Sequence, residues 1–410
     1  MRTPLAVVTG GLLVMLLVQG AAGLSKQAVA DSTAKALDEF RAFYRQAIER
    51  TGVVGSSVRI VHDGRVVFSD VVGSAKLDER RAVDEDTIFH WASITKTFTA
   101  IAIMQLRDRG RLSLDDPIVK YIPELREVHD PFGPVDAITI RHLLSHSAGF
   151  RAATWPWGGD KPWEPFEPPG WLQLRAMFPY TEVLFPPGSK YSYSNPGLVF
   201  AGRVIELLTN EDYEVYVDKN ILRPLEMRGA FFDKAPYYLL PQRSASYFLR
   251  NGKLEAAPFD FDTGVTVSNG GLNAPLSDMV KYLNFLMGTA PDQAARARYD
   301  TVLKRSSLEE MWKPVVPVEG ADANGAQSAS MGLCFFLERH GGMRFIAHSG
   351  GQNAFISHFY LQPDSRTAYI VAFNTIGDPP AKDGKGDTRG LDREIRDYLV
   401  KHVFSLWATP

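Results

Sequence analysis

A chain of 410 residues with 45% hydrophobic and 22% charged content can bury a sizeable core. Its 45 basic against 47 acidic side chains leave a formal net charge of -2, so no basic surplus drives binding to nucleic acid or anionic lipid. A small-molecule or peptide substrate fits that balance, and the single cysteine, Cys334, excludes an internal disulfide framework.

The chain opens on Arg2, an apolar run from Leu5 to Val18 and the small residues Gly20, Ala21, Ala22 and Gly23, which together read as an export signal over residues 1–23. A membrane anchor is the competing reading, because Leu5 to Gly23 approaches the roughly 20 residues that span a bilayer. The small residues at the end of the run favour cleavage. The mature chain is then expected to begin between Gly23 and Asp31, to keep no membrane span, and to act in the periplasm or outside the cell.

Past the leader, Ala36, Phe40, Phe43, Tyr44 and Ile48 recur at helical spacing and predict an amphipathic helix. Ser57 to His62 and Arg65 to Val71 flank Asp63-Gly64, a strong hairpin signal. Helical patterns at Lys96 to Arg109, Ile140 to Ser145, Asn195 to Thr209 and Ser277 to Met287 then alternate with Pro- and Gly-rich loops. Near the end, Met331 to Arg339 and Met343 to Ala347 flank Gly341-Gly342, and Ala354 to Leu361 and Thr367 to Asn374 flank Pro363-Asp364, as further hairpins would. Ile395, Tyr398, Leu399, Val403, Phe404 and Leu406 give a last amphipathic helix. The expected fold is α/β of the α+β kind: an antiparallel sheet from residues 31–115 and 329–410, covered by the terminal helices, with a mainly helical domain of residues 116–328 inserted. A cleft is expected where the two meet.

Ser93-Ile94-Thr95-Lys96 stands where a turn-rich stretch gives way to a helix. A hydroxyl at a helix N-terminus sees free backbone N–H groups and the positive end of the helix dipole, and a lysine three residues on shares its face and can take its proton. The spacing alone is weak, since Ser32-Thr33-Ala34-Lys35 repeats it and an isolated Ser-x-x-Lys is most often a helix cap with an exposed lysine. The apolar run Ile88 to Ala92 before Ser93 separates the two. Tyr193-Ser194-Asn195 follows the irregular loop Phe185-Pro186-Pro187-Gly188, whereas its rival Tyr282-Leu283-Asn284 lies inside a helical pattern and reads as packing. His348-Ser349-Gly350-Gly351 closes a predicted strand, where glycines let another backbone approach. His340-Gly341-Gly342 and His62-Asp63-Gly64 read as hairpin turns, and Lys382-Asp383-Gly384 and Trp157-Gly158-Gly159 as loops. None of the nine histidines falls in a His-Glu-x-x-His zinc spacing.

The order Ser93-x-x-Lys96, Tyr193-x-Asn195, His348-x-Gly350 resembles the serine β-lactamase and penicillin-binding-protein superfamily, and within it the class C β-lactamase-like branch of carboxypeptidases, esterases and peptidases. Ile140-Arg141-His142-Leu143-Leu144-Ser145-His146-Ser147-Ala148-Gly149, Phe185 to Gly188 and Gly270-Gly271-Leu272 extend the likeness over nearly the whole mature chain. Leu144 to Gly149 itself reads as a helix end stopped by a glycine.

The resemblance implies an acyl-enzyme on Ser93 with Lys96 and Tyr193 as bases, His348 opposite, and no metal or other cofactor. It further implies an oxyanion hole of the Ser93 and Gly351 backbone N–H groups, with Asn195 holding the substrate amide or Lys96, and Ser349 and Gly350 beside them. Lysine and tyrosine ordinarily titrate near 10, so one must be shifted by burial or by the other to act as a base at neutral pH. His348 departs from the β-lactamase pattern, which has a lysine there. A histidine of reference pKa about 6.5 is only partly charged at neutral pH, which favours an esterase or peptidase over a potent β-lactamase. A binding protein that has lost turnover, and a true class C β-lactamase, are the alternatives. Trp155, Trp157, Trp163 and Trp171 are read equally as the wall of an acyl pocket or as anchors of a long loop.

Overall fold

The computed structural model describes residues 10–153, 170–377 and 380–407. Residues 1–9 of the expected leader and Trp155, Trp157 and Trp163 lie outside them. A nine-stranded antiparallel sheet organises the molecule and draws on both ends of the chain. Strand Gly55–His62 sits between Arg65–Lys76 and Thr367–Phe373, with Ser56 opposite Phe373 and His62 opposite Thr367. Beyond Thr367–Phe373 come Phe355–Gln362, Met343–Gln352, Phe336–His340, Ser328–Met331 and, at the edge, Val316–Val318.

The hairpins form where the turn chemistry asks for them. Asp63 and Gly64 take φ 48° and 81°, the paired positive angles of a two-residue turn whose twist matches the strands. Gly341 and Gly342 do the same at φ 55° and 79°. The single expected strand Met331 to Arg339 is instead two strands broken at residues 332–335. Gly332 passes so close to Met311 that a Cβ would lie 2.2 Å from the Met311 carbonyl oxygen. Cys334 then takes φ 59° and donates its N–H to Leu144 O at 2.7 Å. The chain dips off the sheet to reach the helices beneath it.

One face of the sheet is covered by the helices Gly10–Thr51 and Thr388–His402. Phe40, Tyr44 and Ile48 meet Leu391, Ile395 and Leu399 over Val58, Ile60, Tyr369 and Val371, all buried. The period-3.6 spacing of the helices and the period-2 alternation of the strands converge on that layer. The opposite face packs Phe359, Leu361 and Ile370 against the helices Thr95–Asp108 and Leu276–Met287, where Phe98 stacks on Tyr282 at 4.1 Å. Helices Ile140–Leu144 and Asn195–Thr209 lie behind these. Among the described residues no helix is long and apolar enough to cross a membrane.

Candidate active site

Ser93 lies in a short 3-10 turn, Ala92–Ile94, that leads directly into the helix Thr95–Asp108. The turn is strained and held from several sides. Ala92 takes φ 47°, a left-handed angle that costs a side-chain-bearing residue of order 1 kcal/mol or more. Trp91 donates its backbone N–H to Leu272 O at 2.8 Å and its indole N–H to Ala274 O at 2.9 Å. Thr95 Oγ1 donates to Ala92 O at 2.6 Å and accepts from Leu272 N at 3.0 Å. The Gly270-Gly271-Leu272 stretch singled out in the sequence is thus the strut of the Ser93 turn.

Lys96 is fully buried, and its Nζ donates to Ser93 Oγ at 3.0 Å and to Asn269 O at 2.8 Å. A buried ammonium is expensive without partners, and these two bonds hold the amine against the hydroxyl. The same Nζ stands 5.0 Å from the centre of the Tyr193 ring. Tyr193 reaches it because Ser194 caps the helix Asn195–Thr209, accepting the Gly197 N–H at 3.2 Å, which puts Asn195 on the first turn and Tyr193 on the loop just before. Tyr282, the rival, is a packing residue: it is fully buried, donates to Thr97 Oγ1 at 2.7 Å, and burial drives its phenol far above the ordinary range.

The third element comes from strand Met343–Gln352. Its pairing with Phe336–His340 ends at Ala347 opposite Phe336, so His348 to Gly351 run on past that neighbour and line a cavity of about 420 Å³. Ser93, Tyr193, Asn195, His348, Ser349, Gly350 and Gly351 all face it, and Lys96 lies beneath its floor. Gly350 serves the protein's own packing: a Cβ there would lie 2.1 Å from Trp91 O. The strand is thereby seated on the backbone two residues before Ser93.

His348 is buried, and its Nδ1 lies 2.7 Å from Ser349 O. A carbonyl only accepts, so Nδ1 carries the proton and Nε2 keeps a lone pair. Burial first, and the neighbouring Lys96 charge second, push this imidazole down to about 3. The expectation of a partly charged histidine is therefore corrected: the ring is neutral across the ordinary pH range and cannot replace a lysine as a carboxylate grip. The cations at the cavity rim are instead Arg389 and Arg393, both exposed on the C-terminal helix. The histidine turns at His62 and His340 sit in hairpins, and Lys382 to Gly384 form a loop.

In the sequence His146 reads as part of a helix end, and nothing there marks it as functional. The ring lies on Tyr193, centroids 4.4 Å apart and planes 26° from parallel. No spacing rule links two residues on separate loops, so only the folded chain could reveal it. Cys334 is buried, its thiol pushed up to about 12, which removes it as a nucleophile. Trp171 is half-buried, edge-on to Phe178 and Phe200, which makes it an anchor of the loop end. Among the described residues no group of three or more His, Cys, Asp or Glu side chains could hold a metal ion.

Comparison with known proteins matches residues 40–392 to the family model described as Beta-lactamase. Beta-lactamase-like protein 2 of Dictyostelium discoideum is 28% identical over 295 residues, 70% of this chain and 50% of that protein. Esterase EstB of Burkholderia gladioli is 30% identical over 228 residues, 52% of this chain and 56% of that protein. The match thus spans about half the length of these curated relatives. Among solved structures, the octameric penicillin-binding protein homologue from Pyrococcus abyssi superposes with a TM-score of 0.69 at 27% identity, covering 82% of this chain and 73% of that one.

Proposed function

Since the chain belongs to the beta-lactamase family, we propose that it is a serine hydrolase, exported by its leader, that opens esters or amides through an acyl-enzyme on Ser93. The observation that carries this reading is the 3.0 Å contact between Lys96 Nζ and Ser93 Oγ, with the Tyr193 ring against the same nitrogen and a cavity opening over all three. Ser93 Oγ attacks the carbonyl carbon. Its proton passes to the Lys96 and Tyr193 pair, at the Tyr193 oxygen, held as the phenolate beside the Lys96 ammonium; the Oγ–C bond forms, and the same oxygen returns the proton to the leaving group as the old bond breaks. Water then repeats the sequence on the acyl-enzyme and frees the acid. The negative charge on the carbonyl oxygen develops beside the turn at Ser93 and the strand at Gly351, where the backbone N–H groups of these two residues are its donors. Asn195 and Ser349 line the same cavity as substrate contacts. His348, neutral, lines the cavity with its Nε2 buried. The similarity to an esterase supports an ester substrate.

The test is a panel of nitrophenyl esters, D-amino-acid peptides and β-lactams, assayed from pH 5 to 9, with the mature N-terminus sequenced to locate cleavage near Gly23. Turnover of an ester or peptide, abolished in Ser93→Ala, is the expected result. Anionic and neutral members of a matched pair should give parallel pH profiles, because His348 stays uncharged in that window. Turnover that survives Ser93→Ala, or an anionic substrate that loses rate through pH 6 to 7 while its neutral partner does not, would overturn this reading.

A further inference from the structure

Tyr193 is clamped by one residue that the chemistry above does not use. His146 holds the segment Ser192-Tyr193-Ser194 at three points. Its carbonyl oxygen accepts the Ser192 N–H at 2.8 Å, its Nδ1 accepts the Ser194 N–H at 3.1 Å, and its ring lies against the Tyr193 ring between those two bonds. The backbone N–H groups on both sides of the tyrosine are therefore spent on a single residue. His146 is itself held in an uncommon state. It is buried, takes φ 52°, and is fixed by its own N–H to Leu143 O at 3.2 Å. With Nδ1 accepting, a neutral ring carries its proton on Nε2, and that atom is buried with no hydrogen-bond partner in the described structure. Such a group is retained at a cost in stability, which asks for a role.

We propose that His146 is a positioning residue for the acylation step: its neutral imidazole fixes the rotamer of Tyr193 so that the phenol meets Ser93 and Lys96. The claim rests on the reading of Tyr193 as part of the base. The surroundings keep the ring uncharged. Burial first, and the Lys96 charge second, hold its pKa well below the usual histidine range, and Tyr191 meets it edge-on at 6.1 Å. A protonated ring would lose its Nδ1 acceptor and release the Ser194 N–H, so neutrality is a condition of the clamp.

Two substitutions separate the parts of the clamp. His146→Asn keeps an acceptor near Nδ1 and a residue that tolerates positive φ but removes the stacked ring, whereas His146→Phe keeps the ring and removes the acceptor. With the ester that the native enzyme turns over, His146→Asn should lower kcat by about tenfold and leave KM within about twofold, as expected for a group that acts on the reacting residues and not on bound substrate. The decisive arm is the cycle with Tyr193→Phe: in that background His146→Asn should cost nothing further, because it acts only through the lost phenol. Equal losses in the two backgrounds, or a loss confined to KM, would overturn the proposal. Should His146→Asn fail to give the native circular dichroism spectrum, His146→Phe is judged by the same cycle. The parent reading fails separately: if Tyr193→Phe alone keeps full activity, Tyr193 is not part of the base and His146 has nothing to position.

Discussion

At the scale of single residues, the site depends on which of several identical spellings the fold brings together. Ser32 and Ser93 share the Ser-x-x-Lys pattern, and Tyr193 and Tyr282 share Tyr-x-Asn, yet only Ser93, Lys96 and Tyr193 meet at one cavity. Lys96→Ala and Tyr193→Phe should each reduce acylation by about 100-fold or more, the usual loss when a general base is removed. Tyr282→Phe removes one buried hydrogen bond to Thr97, so it should cost about 1 kcal/mol of stability and leave the rate nearly unchanged. Stopped-flow acylation with a chromogenic ester, set beside denaturant melts, separates the two effects. A Tyr282→Phe enzyme as slow as Tyr193→Phe would mean that the wrong tyrosine has been assigned. The placement of the two tyrosines, Tyr282 packed in a helix and Tyr193 at a cavity, was legible in the sequence, because a helical pattern surrounds one and an irregular loop precedes the other. The state of His348 was not, since its neutrality follows from burial beside Lys96, which no local pattern encodes.

At the scale of elements, the Ser93 turn and the cavity strand are joined by a backbone contact. Gly350 permits it: an added methyl would lie 2.1 Å from Trp91 O and 2.6 Å from Ser357 Oγ, and the strand cannot withdraw because it is laddered to Phe355–Gln362. Gly350→Ala should therefore displace the Ser93 turn, cutting acylation by about tenfold or more and costing roughly 1–3 kcal/mol, as overpacking does. Gly342→Ala is the control. Its methyl meets open space and only the φ of 79° is unfavourable, so about 1 kcal/mol should be lost with activity intact. Equal activity losses in the two variants would show that the Gly350 contact does not seat the site. The hairpins were readable because Asp63-Gly64 and Gly341-Gly342 are local turn chemistry. The break at 332–335 was not, because Gly332 and Cys334 answer to Met311 and Leu144, far away in the sequence.

For the whole molecule, the chain ends build the sheet and the middle supplies the helices and loops that carry Lys96's and Tyr193's surroundings. Strand Gly55–His62 pairs with Thr367–Phe373 across most of the sequence, so the core face and the cavity edge are fixed only when both ends are present. Hydrophobic periodicity sufficed to foresee an antiparallel sheet under terminal helices, since Phe40, Tyr44, Ile395 and Leu399 point to one layer. It could not foresee that His146 would lie on Tyr193, because the bond that joins His146 to Ser194 links residues 48 apart in the sequence. The central claim is that one serine on one strained turn carries the acyl group. Incubation of the native chain with a fluorophosphonate or a slowly released ester, followed by intact-mass and peptide mass spectrometry, tests it most directly. A single adduct on Ser93, absent from Ser93→Ala and slowed at least tenfold in Lys96→Ala, is the predicted result; an adduct on Ser32, on any other residue, or one that persists in Ser93→Ala would contradict it.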